Sequence, residues 1–304
     1  MKVGITGSTG LIGTALTEVL LREGHEVVPF IRSTVAVSGS VRWSPRERSV
    51  NTEDVAAVGG IEAVVHLAGA GIADKRWTKE RRREILESRV SGTETLAQWI
   101  SSTENPPRIL LSGSAIGFYG NRHDEILDES SQSGQGFLAD VCREWEGPAL
   151  ALHRDGVRVA VLRTGIVMSP RGGALKKQLP LFRLGVGGRL GSGKQWMSSI
   201  SLRDTTAAIA HLLTHSVSGP VNLVAPEPAR NRDVTTALAR AVRRPALFPV
   251  PPVALAIALG KECSEEMLMA SQRIVPRKLL ESGFAFQDPT ISAIASWACS
   301  AAAA

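Results

Sequence analysis

Short apolar segments alternate with amphipathic segments through about the first two-thirds of the chain. The apolar segments are rich in β-branched residues or leucine and are bounded by glycine, proline or serine, which is typical of buried parallel strands. They predict strands over Lys2–Thr6, Glu26–Ile31, Ala63–Leu67, Arg108–Ser112, Val157–Arg163 and Val221–Val224. The segments between them predict helices over Leu11–Glu23, Lys79–Ile100, Phe137–Arg154 and Asp204–His215, the last with Asp204 as its cap.

This alternation predicts an α/β fold, a Rossmann-type doubly wound parallel sheet. We expect a dinucleotide-binding domain over residues 1–166, to which residues 204–225 return. Residues 170–193 are dense in glycine and proline, and the chain beyond Pro226 reads as mostly helical with proline breaks. Residues 167–203 and 226–304 are therefore expected to form a smaller, mostly helical C-terminal lobe. This lobe would close over the carboxyl ends of the strands, where open sheets bind ligands.

Basic side chains give the 304-residue chain a formal net charge of +6, but they are scattered along the sequence. The densest basic cluster, residues 79–83, lies in a helix-like segment that also holds Glu80 and Glu84. A solvated helix face explains this cluster better than a groove that follows phosphates. We therefore expect a small-molecule substrate and no nucleic-acid partner.

The cysteines and the apolar runs limit the class of protein further. Cys142, Cys263 and Cys299 are far apart and lack metal-ligand spacing, so no metal site is expected. Their odd number, and a strand pattern that begins at residue 2 in place of a signal peptide, favour a cytoplasmic location. The longest apolar stretch near the end, Val253–Leu259, is too short to span a bilayer, so we expect no membrane partner.

Three glycines stand between the first predicted strand and the first predicted helix, in the segment Thr6-Gly7-Ser8-Thr9-Gly10-Leu11-Ile12-Gly13. In a dinucleotide site the first glycine permits a tight turn, the second lets the backbone approach a pyrophosphate, and the third lets the helix pack on the sheet. The free N–H groups of the helix would bind the anion. The alternative is an ordinary glycine turn. The expected cofactor contacts are Gly7, Thr9, Gly10, Leu11, Ile12 and Gly13.

The end of the second predicted strand indicates which dinucleotide is bound. A site that prefers NAD commonly has Asp or Glu there to hold the ribose 2′-hydroxyl. This chain has Phe30-Ile31-Arg32-Ser33. Arg32 would stack near adenine and pair with a 2′-phosphate, and Ser33 would add a hydrogen bond, which favours NADP(H). The alternative is a solvent-facing arginine at a strand end.

Further motifs follow the glycine-rich turn: His66-Leu67-Ala68-Gly69, Ser112-Gly113-Ser114-Ala115, Tyr119-Gly120, Gly191-Ser192-Gly193 and Gln272-Arg273-Ile274-Val275-Pro276. With these motifs the chain resembles the short-chain dehydrogenase/reductase superfamily in its extended, epimerase-like form. More narrowly, it resembles an atypical branch of NAD-dependent epimerase/dehydratase-like oxidoreductases, the epimerase family. The resemblance covers nearly the whole chain.

This resemblance implies further contacts to the cofactor. Leu67 and Ala68, with Gly69, would pass over the adenosine half of the dinucleotide. Glu84 and Arg89, on the helix that follows, would reach the bound dinucleotide. The alternative for these two is a surface pair at spacing i,i+5, which does not share a helix face well.

The resemblance also implies residues near the reacting end of the cofactor. Ser112 and Gly113, with Ser114, would lie beside the nicotinamide. Ser114 keeps the position of the superfamily's serine that binds the substrate hydroxyl; the alternative is a strand-end serine bonded to local backbone. Tyr119, the single tyrosine of the chain, either serves as the proton donor in place of the superfamily's usual catalytic tyrosine or packs near the cofactor loop.

The superfamily's catalytic pair, a tyrosine and a lysine four residues later, is missing from this chain. When the relevant helix is aligned on Glu146, Leu138 stands at the tyrosine position and Cys142 at the lysine position. Leucine has no proton to exchange, and a thiol carries no fixed positive charge. Cys142 is either a reactive thiol or, as we expect, a buried and inert side chain.

Three functions follow, in order of preference. The first is an NADP(H)-dependent oxidoreductase or epimerase-like enzyme acting on a small polar substrate. The second is a catalytically silent NADPH-binding sensor or scaffold, which the missing pair favours. The third is an ordinary sugar-nucleotide epimerase, which needs that pair as well. Relatives in the superfamily often dimerise through helices that flank the sheet, so the resemblance leaves a homodimer open.

Overall fold

The computed structural model describes residues 1–300. Residues 301–304, the end of the predicted lobe, lie outside the described residues. The strands, in chain order, are β1 (Lys2–Thr6), β2 (Glu26–Ile31), β3 (Val41–Ser44), β4 (Ser49–Val50), β5 (Ala63–His66), β6 (Ile109–Ala115), β7 (Ile126–Leu127), β8 (Arg158–Thr164), β9 (Ile166–Met168), β10 (Trp196–Met197), β11 (Ser199–Ser201), β12 (Gly219–Leu223), β13 (Ala229–Arg230) and β14 (Arg273–Ile274).

The α-helices, in chain order, are α1 (Leu11–Arg22), α2 (Thr52–Ala57), α3 (Lys79–Ser102), α4 (Phe137–Leu150), α5 (Gly173–Arg183), α6 (Leu202–Thr214), α7 (Asn231–Ala241), α8 (Pro252–Leu259), α9 (Lys261–Ser264), α10 (Arg277–Glu281) and α11 (Ile291–Ser300). A 3₁₀ turn, Ile116–Tyr119, follows β6, and a π-helical turn, Glu265–Met269, follows α9. No helix within residues 1–300 is long and apolar enough to traverse a bilayer.

Eight strands form the central sheet in the order β12-β8-β6-β5-β1-β2-β3-β4. All neighbours are parallel except β3 and β4, which form an antiparallel edge. From β1 the chain first extends the sheet through β2 and β3, and it then returns to the other side of β1 with β5. The predicted Rossmann-type doubly wound sheet is therefore confirmed. The reversal beside β1 creates a crevice at the carboxyl ends of the strands, where ligands bind in such sheets.

Helices cover both faces of the sheet because the strands are apolar on both sides. On one face Val3 and Ile5 pack with Leu16 of α1 in a core that also includes side chains of α6. On the other face Val64 and Leu110 pack with side chains of α3 and α4. This packing fixes the positions of α1, α3 and α4 relative to the strand ends.

A second apolar core holds the residues beyond the sheet together. Its helices are α5, α7 and α11, whose buried side chains include Leu175, Leu179, Leu238 and Ile294. α5 lies within residues 170–193, the segment that is dense in glycine and proline. The helix forms because Leu175, Leu179 and Phe182 share one face at the spacing of a helix.

Two local features differ from what the sequence indicated. The edge hairpin of β3 and β4 was not predicted, because its strands are short and its sequence is rich in charge. The cap of α6 is Ser201 and not Asp204: the Ser201 hydroxyl accepts the N–H of Asp204. The Asp204 carboxylate instead accepts the backbone N–H groups of Gln287 and Asp288, at 3.0 and 2.8 Å. It thereby ties α6 to the segment that precedes α11.

Candidate dinucleotide site and adjoining cavity

The glycine-rich turn between β1 and α1 is too tight for side chains at two positions. Gly7 has φ +68°, a conformation that favours glycine, and a Cβ atom there would lie 2.9 Å from the amide nitrogen of Ala68. A Cβ atom at Gly13 would overlap the carbonyl oxygen of Gly7. These contacts bring the start of α1 directly against the ends of β1 and β5.

The amino end of α1 has no internal group to neutralise it. Gly10 is the cap residue and offers no side chain, and the first turn contains no acidic residue. Within the helix, the N–H of Thr14 is the first to bond back to Gly10. The amides of Leu11 and Ile12 therefore stand at an open, positive helix end, which is suited to a phosphate. Thr9 is exposed beside them.

Arg32 and Ser33 follow β2 directly and are both exposed. Because β2 lies parallel beside β1, with Thr6 opposite Phe30, they stand at the same edge of the sheet as the glycine turn. The Ser33 hydroxyl closes a local turn: it donates to the carbonyl of Val35 and accepts the N–H of Val35. Within residues 1–300, Arg32 makes no ion pair or side-chain hydrogen bond.

The segment after β5 is fixed by Thr6. The hydroxyl of Thr6 accepts the N–H groups of Leu67 and Ala68 at 3.1 and 3.3 Å, so its own proton points to Nδ1 of His66 at 2.6 Å. Leu67 and Ala68 thus lie beside the glycine turn, on the floor of the crevice. Gly69 follows them, and a Cβ atom there would lie 3.3 Å from the guanidinium carbon of Arg89.

Arg89 is a buried cation without an acidic partner among the described residues. Its side chain donates to the carbonyl of Ile85 and packs over the Trp145 ring, and its Nε has no hydrogen-bond acceptor. The residue is only 6% exposed, and burial lowers the pKa of its guanidinium to about 10. Glu84 does not compensate this charge, because it pairs with Arg81 at 2.6 Å and is exposed.

These groups fit a phosphorylated dinucleotide. The open helix end and the buried guanidinium both favour an anion, and the two glycines remove the side chains that would block its approach. One side of the crevice is therefore formed by the glycine turn, the segment after β5 and the buried guanidinium, that is, by Gly7, Gly10, Gly13, Leu67, Ala68 and Arg89. Glu84 pairs with Arg81 and forms no ion pair with Arg89.

The end of β6 is more deeply buried than the sequence suggested. Gly113 packs against the Trp145 ring, and the hydroxyl of Ser112 is buried without a partner among residues 1–300. Ser114 donates its hydroxyl proton to Glu146 at 2.6 Å. Glu146 is itself held by two hydrogen bonds from Arg163, at 2.9 and 2.8 Å.

This arrangement bears on the role expected for Ser114. Its only proton is bonded to the buried carboxylate of Glu146, and the side chain is nearly inaccessible. A contact to substrate would have to break that bond, which stabilises the ion pair between Glu146 and Arg163. The geometry therefore favours a structural role for Ser114 over a substrate contact.

Tyr119 is likewise placed inside the protein. Its hydroxyl accepts a hydrogen bond from Arg163 at 3.1 Å and lies 2.7 Å from Oδ1 of Asn222. Burial raises the pKa of the Tyr119 hydroxyl to about 12, and no part of the residue is exposed. These facts argue against Tyr119 as the missing acid and favour a packing role.

The α4 residues at the positions of the missing pair also offer no acid. Cys142 is buried and donates weakly to the carbonyl of Ala115 at 3.5 Å. Burial raises the pKa of its thiol to about 11, as expected for an inert cysteine. Leu138, one turn earlier, lies against Gly117 of the 3₁₀ turn.

A cavity of about 150 Å³ opens beside Leu138. It lies between the 3₁₀ turn, the amino end of α4 and the π-helical turn of the C-terminal lobe. Residues that line it include Gly117, Asn121, Leu138, Glu265, Glu266 and Gln272. Within residues 1–300, no group of His, Cys, Asp and Glu side chains is arranged to hold a metal ion.

The acidic part of this cavity was missed by the sequence analysis. Glu266 accepts the N–H groups of Phe137 and Leu138, at 2.9 and 2.8 Å, and so caps α4 from the C-terminal lobe. No local sequence pattern predicts this contact between Glu266 and α4, because its partners are separated by almost half the chain. Gln272 belongs to the motif Gln272-Arg273-Ile274-Val275-Pro276, but the motif did not predict that its side chain contacts the 3₁₀ turn.

Comparison with known proteins agrees with this architecture. Residues 3–225 match the model of the NAD dependent epimerase/dehydratase family, and residues 250–298 match a domain of unknown function, DUF1731. The chain belongs to the NAD-dependent epimerase/dehydratase family. The resemblance seen in the sequence is thereby confirmed.

Individual members of the family cover almost all of the chain. Epimerase family protein Mb2239 of Mycobacterium bovis is 40% identical over 290 residues, which are 95% of this chain and 94% of that protein. Human epimerase family protein SDR39U1 is 32% identical over 299 residues, 96% of this chain and 98% of that protein. The crystal structure of human SDR39U1 with NADPH has a TM-score of 0.90 at 31% identity and covers 99% of each chain.

Proposed function

We propose that this member of the family binds NADP(H) and acts as an oxidoreductase or epimerase-like enzyme on a small substrate. The observation that carries the proposal is Arg32, an exposed guanidinium without an acidic partner among residues 1–300, at the end of β2. A carboxylate at this point would repel a 2′-phosphate, whereas a guanidinium attracts it. The NADPH of the human relative's crystal structure supports the same cofactor.

Different residues of this chain would bind different parts of the cofactor. The amides of Leu11 and Ile12 would bind the pyrophosphate, and Arg89 would add a positive charge beside the bound dinucleotide. Leu67 and Ala68 would support the adenosine half. When bound, the nicotinamide supplies or accepts a hydride. The residues of the chain would orient the bound dinucleotide. The closely packed ends of β5 and β6 would keep water away from it.

The assignment of Arg32 is tested by replacing it with alanine. We expect Arg32→Ala to weaken NADPH binding about ten- to a hundredfold, since one charge-assisted contact is lost, and to leave NADH binding nearly unchanged. Isothermal titration calorimetry with both coenzymes measures the difference. Arg108→Ala is the matched control, because Arg108 is exposed at the opposite, amino end of β6. An equal loss for both coenzymes would refute the 2′-phosphate assignment.

A silent NADPH-binding sensor or scaffold is the second candidate. It is favoured by Leu138 and Cys142, neither of which can exchange a proton as the superfamily's pair does. The two functions differ in turnover: a sensor binds NADPH tightly but never oxidises it. Absence of NADPH oxidation with a broad panel of carbonyl and imine compounds would favour the sensor.

A further inference from the structure

The cavity beside Leu138 differs in charge from the rest of the crevice. Its lining contains two carboxylates, Glu265 and Glu266, and no Lys, Arg or His side chain. Its volume of about 150 Å³ is below the roughly 300–1,000 Å³ of sites for drug-sized ligands. The ligand that fits it is therefore small and of a charge that carboxylates attract.

Glu266 is held in a fixed position in this cavity. Both of its oxygens accept backbone N–H groups at the amino end of α4, where the helix dipole favours negative charge. Each carboxylate oxygen can accept more than one hydrogen bond. Glu266 therefore retains capacity for a donor from the ligand, and the exposed Glu265 adds a second negative charge.

Gln272 supplies an independent acceptor to the same cavity. The residue is only 9% exposed, and its amide nitrogen donates to the carbonyls of Ile116 and Gly120, at 3.0 Å each. With both N–H groups used, the side chain is oriented, and its carbonyl oxygen has no hydrogen-bond partner within residues 1–300. The Gln272 amide oxygen is accessible in the cavity, and it can accept a hydrogen bond from a ligand that carries N–H or O–H groups.

The absence of the usual catalytic acid also favours a cationic substrate. Reduction of a neutral ketone needs a proton for the developing alkoxide, and the positions of the usual donor hold Leu138 and Cys142. A protonated imine already carries its proton. Its carbon accepts a hydride, the C=N π electrons become the nitrogen lone pair, and the N–H proton stays in place. The products are a neutral amine and the oxidised nicotinamide.

We propose that this cavity binds a cationic nitrogen, as a protonated imine or the corresponding ammonium ion, through Glu265, Glu266 and Gln272. The binding part of this inference depends only on the cavity, whereas the redox part rests on the proposed NADP(H) function. The two parts are therefore tested separately.

Binding is tested with two probes of nearly equal shape. 2-Methylpyrrolidine is an ammonium ion at neutral pH, and 2-methyltetrahydrofuran is its neutral analogue. Each is titrated into the full-length protein, with and without NADP⁺, and observed by saturation-transfer NMR. We expect the ammonium probe to bind at least tenfold more tightly than the ether. Equal binding of the two probes, or binding of neither, would overturn the proposal.

Variants identify the carboxylates that are responsible. Glu265→Gln is expected to weaken binding of 2-methylpyrrolidinium about tenfold and to leave the ether unchanged. Glu262→Gln is the matched control, since Glu262 lies on the same lobe, pairs with Arg82 and does not line the cavity. Glu266→Gln should weaken binding of 2-methylpyrrolidinium to a similar extent. Because this substitution also alters the cap of α4, circular dichroism checks that the variant remains folded. Unchanged selectivity in both variants would exclude these carboxylates.

Turnover is tested with 2-methyl-1-pyrroline and cyclopentanone as acceptors. We expect NADPH oxidation with the imine, increasing as the pH falls and the imine is protonated, and at least a hundredfold less with the ketone. Calorimetric binding of NADPH to the same preparation is measured first. If NADPH does not bind, the proposed function fails; if it binds and the ketone is reduced as well as the imine, this inference alone fails.

Discussion

At the scale of single residues, the site depends on polar groups that the fold buries at a cost. His66 is completely buried and receives the Thr6 hydroxyl at Nδ1, so its proton lies on Nε2, which has no partner within residues 1–300. Arg89 is a second such group. Both lie at the junction of β5 and α3, which the glycine turn of β1 also touches.

The pH dependence of stability should show the burial of His66. Burial, with a smaller effect of nearby Arg89, lowers the pKa of His66 from 6.5 to about 4. The folded state therefore disfavours the proton that the unfolded state binds. Stability is fully present above pH 6.5 and falls as the pH drops from 6.5 to 4, by about 3 kcal/mol. Urea unfolding at several pH values measures this loss.

His66→Gln is expected to flatten that part of the profile, whatever it does to stability at neutral pH. His123→Gln, at an exposed loop position, is the control and should leave the slope unchanged. A wild-type slope that persists in His66→Gln would contradict the assignment.

Arg89 should show opposite effects on stability and on binding. Because Arg89→Met replaces an unpaired buried cation by an apolar side chain, we expect the cofactor-free protein to gain about 1–3 kcal/mol. NADPH and NADH should both bind at least tenfold more weakly, in contrast to the selective effect of Arg32→Ala. Thermal unfolding and calorimetry measure the two effects. A destabilised variant with normal NADPH affinity would show that Arg89 is structural only.

At the scale of elements, β8 and α4 are joined by a buried ion pair. Arg163 and Glu146 are each less than 5% exposed, and Arg163 also stacks on the Phe118 ring at 3.4 Å. Ser114 and Tyr119 bond to this pair. The end of β6 is thereby held against α4, and both residues take part in structural hydrogen bonds.

Breaking this pair from one side should be more damaging than removing it. Arg163→Met leaves Glu146 charged and buried, so a loss of about 3–5 kcal/mol is expected. The double variant Arg163→Met with Glu146→Gln should lose clearly less than the sum of the two single variants, because no uncompensated charge is left. Guanidinium unfolding of the wild type, the two single variants and the double variant gives the four free energies of a double-mutant cycle. Additive losses would mean that the pair is not coupled.

At the scale of the whole molecule, the sequence predicted what depends on local pattern. The strands of the sheet, the glycine turn and the position of Arg32 follow from short-range periodicity and from glycines whose conformation is required. The direction of the Ser114 hydroxyl was not predictable, because it depends on Glu146 and Arg163, which lie 32 and 49 positions away in sequence. Glu266 was missed for the same reason: its contact with Phe137 at the start of α4 spans 129 positions of the sequence.

The most direct measurement is titration of the unmodified protein with NADPH and with NADH under identical conditions. We propose that the 2′-phosphate binds to Arg32 and that the pyrophosphate lies over the amino end of α1. NADPH is therefore expected to bind at least tenfold more tightly than NADH. Equal affinities would contradict the role of Arg32, and no heat with either coenzyme at millimolar concentration would contradict the dinucleotide site itself.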